Sequence, residues 1–411
     1  MEKVSTLFRK PLAVDEAVAL VREATRRAET ETVPLHRANG RTLAMDLVAT
    51  HDVPAFDKSP YDGFAVRSAD LQTASRDEPV TLPIQYVQGA GHVGAPLRDG
   101  QAIRIMTGAK IPEGADAVVM LEIVQADEQA VTFKRPARDA NISYQGEDIA
   151  AGTAVVARGT RINPGVVALL ATFGYDRVDV FMKPWITVFA TGDELVEPGL
   201  KKAEGHIYNS NAYMILAQIE ALGGTATYGG ILPDTFTSTK RAIDEALRTS
   251  DAVITTGGVS VGDFDYLPDV YEALGASVLF NKVGMRPGSV TTVARVGHQL
   301  LFGLSGNPSA CFVGTELFVG AYIRTLYAQA ERTSVEAKLG VDFTKPNPFD
   351  RFVRGRLTVD ATGQAVVYPS GKDKSGVVSS LAACNAFIHL PGGTRGFQKG
   401  DKVRCRIIDQ L

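Results

Sequence analysis

The apolar residues of this chain change their spacing along its length, and the changes predict several kinds of module. Near the N-terminus, Val14, Val18, Val21, Ala24 and Ala28 recur at helical spacing with charged residues between them, which predicts an amphipathic helix. Residues 53–146 carry short apolar or alternating runs separated by Gly and Pro, which predict a small β-rich module. These runs lie at 80–87, 102–105, 117–121 and 130–133.

From residue 185 onward, apolar strand-like runs alternate with segments of helical length. Strands are predicted at 185–190, 225–232, 251–256, 290–295 and 299–304, with a further apolar run at 277–283. Helices are predicted at 211–222, 237–249, 267–274 and 308–328. Repeated strand–helix alternation is typical of a doubly wound α/β domain with a mostly parallel sheet. A KPNP boundary at 345–348 precedes residues 352–411, which return to short strands with glycine turns and predict a second β module.

Composition and charge narrow the functional class. The 411 residues are 45% apolar and 22% charged, which is typical of a globular protein of several domains. The net charge of −3 provides no basic field for a nucleic acid, so nucleic-acid binding is disfavoured. The chain has no apolar run near 18 residues and no secretory signal pattern, so we expect a cytoplasmic protein without a membrane span. Three widely spaced cysteines favour neither disulfides nor zinc.

The candidate chemistry lies in loops that follow the predicted parallel strands, where open α/β sheets bind their ligands. The loops read TGDE at 191–194, PD at 233–234, GGVSVGDFDY at 257–266 and GLSGNPSA at 303–310. In the third loop, Gly257, Gly258 and Gly262 would let backbone amides approach a phosphate, with Ser260 as a further donor. A glycine-rich turn without a ligand is the alternative.

Two further features suit an anion. Asn307 is predicted to be the N-cap of the last helix with Pro308 as its first residue, which would leave the following amides free. Arg286, in MRPGSV, would add a permanent cation with bidentate geometry. Helix capping alone, and a solvated arginine, are the alternatives.

Carboxylates share the same edge of the sheet. Asp193, Glu194, Asp263 and Asp265 would repel an anionic ligand unless a divalent cation lies between them, and Mg²⁺ is the natural candidate. Asp193 or Asp263 could instead be a helix N-cap. Outside this region, acidic residues in SPYDGFAV and QGEDIAAG could be simple turns between strands; they are Asp62, Glu147 and Asp148.

Motifs of protein-centred catalysis do not stand out. The sequence shows no Ser-His-Asp order, zinc-protease, Walker or dinucleotide fingerprint, and its six histidines are scattered. Cys311 is more economically explained by an apolar helix face than as a reactive thiol. The residues therefore predict a magnesium-dependent site for phosphate or oxyanion chemistry, without naming a substrate.

Seven motifs in order resemble the molybdopterin molybdenumtransferase family, the bacterial MoeA type, which is related to the E domain of gephyrin. They are SPYDGFAV, IRIMTGAKIPEGADAVV, QGEDIAAG, TGDELVEPG, GHIYNSN, TTGGVSVGDFDY and LSGNPSA. The resemblance covers nearly the whole chain. It implies insertion of molybdate into the dithiolene of adenylylated molybdopterin, with release of AMP and assistance from Mg²⁺. The sulfur ligands would belong to the pterin.

The resemblance also implies an architecture. An elongated discontinuous domain would comprise 1–52 and 147–180, with the β-rich domain 53–146 inserted into it. An α/β molybdopterin-binding domain of the MogA-like type would occupy 181–330, and a small β-barrel 331–411. Family members are homodimers whose cleft lies between the α/β domain of one subunit and other domains of its partner. The molybdopterin adenylyltransferase and recipient molybdoenzymes would be further partners.

Motif by motif, the resemblance implies site residues. Glu194 and Asp265 match acidic residues associated with catalysis or magnesium, and Asp62 and Asp148 match acidic positions on the cleft wall. Positions expected to bind the pterin substrate or the oxyanion are Thr107, Asn209, Ser210, Gly257, Gly258, Ser260, Gly262, Arg286, Ser305, Gly306, Asn307, Arg354 and Ser375.

Three positions depart from the common pattern of the family. Ser289 stands where many members have a lysine, Ser305 where many have proline, and Asn209 where many have aspartate, so the oxyanion contacts are expected to differ.

Two other functions stay open. A molybdopterin adenylyltransferase shares the α/β domain but normally lacks the flanking modules. A scaffold that binds peptides, as gephyrin does, is the alternative outside enzymes.

Overall fold

The protein is described by a computed structural model, which describes residues 10–233, 235–258 and 267–408. The chain divides into two compact units. Unit 1 comprises Met1–Ala44, Gly159–Ile162 and Arg177–Leu411, and unit 2 comprises Met45–Arg158 and Asn163–Asp176. The finer division into four domains stays a prediction.

In unit 1, the N-terminal residues form one helix and one strand, α1 (Val14–Ala24) and β1 (Thr30–Pro34). The helix buries Val14, Ala17, Val18 and Val21, as its apolar spacing predicts. It ends four residues before the predicted Ala28, because Thr25 adopts an extended backbone conformation. The Ala28 amide then donates to the Leu326 carbonyl oxygen at 3.1 Å.

Unit 2 is mostly β-structure, as the short apolar runs predict. Its strands are β2 (Leu47–Val48), β3 (Gly63–Val66), β4 (Val80–Gln88), β5 (Ala102–Ile105), β6 (Ala117–Met120), β7 (Gln125–Ala126), β8 (Ala130–Phe133) and β9 (Ala154–Val156). Six of them form a sheet in the order β6-β3-β5-β4-β8-β7, and β2 pairs with β9. Asn163 is the N-cap of the helix α2 (Pro164–Thr172), and its side-chain oxygen accepts a hydrogen bond from the Val166 amide at 3.0 Å.

The chain re-enters unit 1 at β10 (Arg177–Phe181), which pairs antiparallel with β1, and then builds a six-stranded mixed sheet. The sheet order is β14-β11-β15-β19-β18-β16, with the first four strands parallel. The strands of this sheet are β11 (Trp185–Thr191), β14 (Thr225–Leu232), β15 (Ala252–Thr256), β16 (Ser277–Phe280), β18 (Thr292–Val296) and β19 (Gln299–Leu304). Two short strands beside it, β12 (Leu195–Val196) and β13 (Ile207–Tyr208), pair with each other. A further short strand, β17 (Met285–Arg286), pairs with a strand of the tail described below.

Helices cover both faces of this sheet, so the domain is doubly wound as predicted. They are α3 (Asn211–Ala221), α4 (Phe236–Leu247), α5 (Leu267–Ala273), α6 (Pro308–Gly314) and α7 (Gly320–Leu326). Ile215 and Ile219 of α3 pack in one core with α6, α7 and α1, whereas Ile243 of α4 and Val270 of α5 pack in the core on the other face. The buried strand β15 is apolar or Thr throughout, which is typical of a central parallel strand.

The predicted long helix at 308–328 is interrupted by one π-helical turn at Thr315–Val319. Glu316, in this turn, is buried and accepts hydrogen bonds from Arg324 and Arg332, each at 3.2 Å. Gly320 leaves room for the Arg324 guanidinium, because a Cβ atom there would lie 2.9 Å from Nη1. The extra residue of a π-turn is therefore associated with a buried ion pair.

The tail forms a second β module, as the glycine-punctuated strands predict, and it is the small barrel that the family resemblance implies. Its strands are β20 (Ser334–Leu339), β21 (Asp350–Val359), β22 (Ala365–Pro369), β23 (Ala386–Leu390) and β24 (Lys402–Ile407). The order β21-β22-β20-β24-β23 closes through pairing of β21 with β23. The short strand β17 pairs in parallel with β21, which joins the α/β region to the barrel within unit 1. Among the described helices, none combines the length and apolar composition needed to cross a bilayer.

Candidate active-site cleft in unit 1

Unit 1 contains a cleft of about 900 Å³ at the carboxyl ends of β11, β15 and β19. The chain leaves β11 toward β14 on one side and leaves β15 toward β16 on the other, so these neighbours form a topological switch point. Loops after all three strands line the cleft, together with residues around β17 and the barrel residues Arg351, Asp373, Lys374 and Ser375. This is the edge at which the sequence predicts a ligand.

The turn after β15 requires glycine for two independent reasons. Gly257 has a φ of +104°, which L side chains rarely adopt. A Cβ atom at Gly257 would also lie 2.5 Å from the Thr191 carbonyl oxygen of the neighbouring strand. Gly257 and Gly258 both line the cleft. The rest of the predicted loop lies outside the described residues, including Ser260, Gly262, Asp263 and Asp265.

Glu194 is an exposed carboxylate of the cleft lining, just after β11. Its backbone carbonyl accepts from the Ile207 amide at 2.9 Å, which joins the TGDE turn to the β12–β13 pair. Asp193 beside it is also exposed but is absent from the cleft lining. Within the described residues, no group of three or more His, Cys, Asp or Glu side chains is arranged to hold a metal.

Asn209 and Ser210 lie at the cleft as predicted, but in different environments. Ser210 is exposed, whereas Asn209 is 1% exposed and its amide is already engaged on both sides. Asn209 Nδ2 donates to the Tyr228 hydroxyl at 2.8 Å, and its Oδ1 accepts from the Ala212 amide at 3.3 Å. Asn209 therefore orders the start of α3.

Behind Asn209, a short polar network ends at a carboxylate. The hydroxyls of Tyr228 and Tyr213 both donate to Glu197, the second at 2.9 Å. Burial, together with the hydrogen bond to Glu197, raises the pKa of Tyr228 above its usual range, so this hydroxyl stays a donor. Sequence reasoning missed this network, because its members lie on separate elements.

Asn211 is a cleft residue that sequence reasoning also missed. Its Nδ2 donates to the Gly306 carbonyl oxygen at 2.8 Å and to Thr256 Oγ1 at 3.2 Å. One side chain thus links the first turn of α3 to the end of β15 and to the loop after β19. The second asparagine of the NSN motif, placed at a helix start, was the available signal.

The SGNP turn lies at the cleft but differs from its prediction in one respect. Ser305, Gly306 and Asn307 line the cleft, and Asn307 occupies the N-cap position without a side-chain cap hydrogen bond. The amides after Pro308 were expected to be free for an anion. That expectation is wrong for Ser309, whose amide donates to the Ser375 carbonyl oxygen at 2.9 Å.

Cations reach the cleft from β17 and from the barrel. Arg286 is exposed at the cleft, and its register partner on β21 is Arg351. Ser375 and Lys374 are exposed in the lining. Arg354 is 2% exposed and absent from the lining, and its guanidinium is engaged within the barrel.

Three predicted site residues belong to unit 2, outside the unit that carries the cleft. Asp62 accepts hydrogen bonds from the Thr107 amide at 2.7 Å and from Thr107 Oγ1 at 2.8 Å. These hydrogen bonds hold the pKa of Asp62 below its ordinary value, and the bond from the backbone amide has the larger effect. Asp148 is exposed in the turn after Tyr144.

Cys311 is buried in α6, as predicted from the apolar helix face. Burial raises the pKa of the Cys311 thiol to about 12, so at neutral pH the sulfur is protonated and unreactive.

Comparisons with known proteins agree along the chain. Family models match in succession the MoeA N-terminal region (domain I and II) at 12–174, a probable molybdopterin binding domain at 187–325, and the MoeA C-terminal region (domain IV) at 336–406. A molybdopterin molybdenumtransferase of Bacillus subtilis (strain 168) is 52% identical, covering 97% of this chain and 95% of the relative. One of Staphylococcus aureus (strain MSSA476) is 47% identical, covering 96% and 95%.

A solved structure has the same fold over the same length. The crystal structure of a molybdopterin biosynthesis MoeA protein from Pyrococcus horikoshii OT3 has a TM-score of 0.82 at 30% identity, covering 97% of this chain and all of that chain. With these matches over nearly its whole length, the chain belongs to the MoeA family of molybdopterin molybdenumtransferases, and it is a transferase of molybdenum cofactor biosynthesis.

Proposed function

We propose that the chain inserts molybdate into the dithiolene of adenylylated molybdopterin, releasing AMP, with Mg²⁺ as its metal cofactor. The observation that carries this proposal is the cleft at the switch point of the α/β sheet, which combines glycine-lined backbone, an exposed carboxylate and exposed cations. A phosphorylated substrate and an oxyanion both need donors and positive charge, and a metal needs the carboxylate.

The glycine turn is proposed to bind the phosphate of the pterin substrate. Gly257 and Gly258 keep side chains away from the backbone at the carboxyl end of β15, so that amides can approach an anion closely. Ser260 and Gly262 follow in the same GGVSVG motif and are proposed to have the same role. Asn209 and Ser210 would flank the pterin on the side of α3.

Glu194 and Asp265 are proposed to hold Mg²⁺. A pair of carboxylates suits this ion, because Mg²⁺ in enzymes is commonly bound through one or two carboxylates, with substrate phosphates and water completing its shell. Glu194 provides an exposed carboxylate at the cleft. When bound, the ion would neutralise the charge that develops on the phosphates as AMP leaves.

Arg286 and Ser375 are proposed to bind molybdate, with Ser305, Gly306 and Asn307 on the facing loop. Ser289 lines the cleft at the position where many family members have a lysine. This wall therefore has one cation fewer than in those members. A charge-assisted hydrogen bond is worth about 1.5–3 kcal/mol, so its replacement is expected to shift the oxyanion contacts toward the remaining cations.

Asp62, Thr107 and Asp148 are proposed to act on the same substrate from the second subunit of a homodimer. This assignment rests on the family resemblance. The Asp62–Thr107 hydrogen bonds keep the carboxylate ionised at neutral pH and fix its orientation. We further propose a cytoplasmic enzyme, supplied by a molybdopterin adenylyltransferase and serving recipient molybdoenzymes.

The purified chain, given adenylylated molybdopterin, molybdate and Mg²⁺, should produce molybdenum cofactor and AMP in equal amounts. Chelation of Mg²⁺ with EDTA should stop both products. Failure of the wild-type chain to release AMP or to form cofactor would overturn the proposal. Consumption of ATP with free molybdopterin would support adenylyltransfer instead.

Glu194→Gln tests the assigned metal site. The substitution keeps the shape but removes a charged ligand, so the Mg²⁺ concentration for half-maximal rate should rise by about 100-fold, equivalent to about 2.7 kcal/mol. Glu204→Gln is the matched control, because Glu204 is exposed and absent from the cleft lining. An unchanged Mg²⁺ dependence in Glu194→Gln would remove Glu194 from the metal site.

A further inference from the structure

On the barrel side of the cleft, one nearly buried carboxylate is shared by two nearly buried arginines. Asp373 is 8% exposed in its side chain, and it accepts from Arg351 Nη1 at 2.5 Å and from Arg354 Nη1 at 3.1 Å. Lys345 Nζ lies 3.6 Å from the same carboxylate, and Arg286 is the register partner of Arg351. One negative charge therefore faces several positive charges, and it balances two arginines that have little contact with water.

These arginines hold the segment at 372–375, here named the tail loop. Arg354 Nη2 donates to the carbonyl oxygens of Lys372 at 3.2 Å and of Lys374 at 3.3 Å. Arg351 is fixed in turn by Nε, which donates to Asn347 Oδ1 at 2.6 Å. The guanidinium of Arg354 is thus bonded to the backbone on both sides of Asp373, and the carboxylate fixes that guanidinium.

The α/β domain binds the same segment from the opposite side. Ser309, in the first turn of α6, is fully buried, and its amide donates to the Ser375 carbonyl oxygen at 2.9 Å. Its hydroxyl donates to the Val377 carbonyl oxygen at 2.8 Å. The backbone from 372 to 377 is therefore held by Arg354 on one side and by Ser309 on the other, and within it Asp373, Lys374 and Ser375 line the cleft.

We propose that Asp373 is a positioning residue for the cleft: by neutralising Arg351 and Arg354 it fixes the tail loop and so sets where Lys374 and Ser375 meet the oxyanion. Without the carboxylate, the two arginines repel each other and compete for the remaining acceptors, and the backbone that they hold is released. Asp373 also lines the cleft, but the role assigned to it is to hold the loop through Arg351 and Arg354. For its kinetic readout this inference rests on the proposed function.

The test combines amide hydrogen exchange over residues 370–378 with the KM for molybdate, in full-length wild type and Asp373→Asn. The variant should exchange about tenfold faster in this segment and raise KM by about tenfold, with kcat at saturating molybdate nearly unchanged. Lys372→Ala is the matched control. Its side chain is exposed in the same loop and absent from the cleft lining, and its carbonyl is retained, so both readouts should stay at the wild-type value.

Each result decides the question. Wild-type exchange in Asp373→Asn overturns the inference, and so does a raised KM without faster exchange, which would mean that Asp373 acts on the anion directly. Faster exchange with an unchanged KM also overturns it. If Asp373→Asn does not fold, Asp373→Glu keeps the charge, and smaller rises in both readouts are then required. Exchange needs no substrate, so an inactive wild type would refute the proposed function, while the exchange result would still test whether Asp373 fixes the tail loop.

Discussion

The two walls of the cleft are built by different physical means. On the α/β side, Gly257 and Asn211 set the geometry through close backbone approach and neutral hydrogen bonds. On the barrel side, Asp373, Arg351 and Arg354 set it through a buried ion cluster. Both walls meet the same cavity.

The difference indicates how each wall should respond to substitution. A wall fixed by shape loses its geometry when atoms are added, whereas a wall fixed by charge loses it when a charge is removed and its partners stay buried. Neutral hydrogen bonds also place donors without adding charge that would compete with a phosphorylated substrate. The α/β wall is therefore suited to hold the substrate body, and the barrel wall to attract an anion.

Gly257→Ala should break the shape-built wall most strongly. The methyl group meets the Thr191 carbonyl oxygen, and alanine is strained at a φ of +104°, so the free energy of unfolding should fall by about 4 kcal/mol. AMP release should fall below detection if the strand end shifts. Urea denaturation and initial rates measure the two effects.

Gly230→Ala separates strain from collision. Gly230 has a φ of +99°, close to that of Gly257, but a Cβ atom there meets nothing within 4 Å. This control should therefore lose about 1–3 kcal/mol from strain alone and keep its activity. Equal losses in the two variants would show that the approach to Thr191 has no special role.

Asn211→Asp should have the next largest effect, because it places a charge in the neutral wall. The new carboxylate oxygen would face the Gly306 carbonyl oxygen and Thr256 Oγ1, where the amide now donates. Loss of these bonds and the added repulsion should cost about 2–3 kcal/mol and reduce kcat/KM by about 100-fold.

Asn39→Asp is the control for the added charge. Asn39 is exposed in a turn and far along the sequence from the cleft segments, so the same change there should leave rates and stability within about 0.5 kcal/mol. If Asn211→Asp behaves like Asn39→Asp, the hydrogen bonds from Asn211 to Thr256 and Gly306 do not organise the cleft.

The sequence predicts the α/β wall far better than the barrel wall, for a physical reason. Parallel strands are buried on both faces and leave clear apolar runs, and glycines at their carboxyl ends mark close approach directly. The partners of Asp373 instead depend on the register of barrel strands, with 22 and 19 residues separating it from Arg351 and Arg354. Periodicity contains no information about that register.

Burial limits prediction in the same way. Arg354 and Asn209 are both named by the family pattern, yet each is nearly inaccessible and already bonded within the protein. A motif indicates that a residue matters to the site, but it does not distinguish contact with substrate from support of a neighbour. Asn211 and Ser309, which support the cleft through the backbone, escaped prediction because asparagine and serine are ordinary residues at helix starts.

Tyr228→Phe should give the smallest of the three effects and sharpen the comparison, because it removes a neutral hydroxyl that links Asn209 to Glu197. The buried Nδ2 of Asn209 then lacks its acceptor, so stability should fall by about 1–2 kcal/mol and KM for adenylylated molybdopterin should rise a few-fold. Tyr213→Phe is the matched control: Tyr213 is 44% exposed and also donates to Glu197, so water can replace its hydroxyl and the loss should stay below about 0.5 kcal/mol. If both variants lose the same stability, Glu197 rather than Asn209 is the residue that needs the network. The α/β wall would then also depend on a fixed carboxylate, as the barrel wall does.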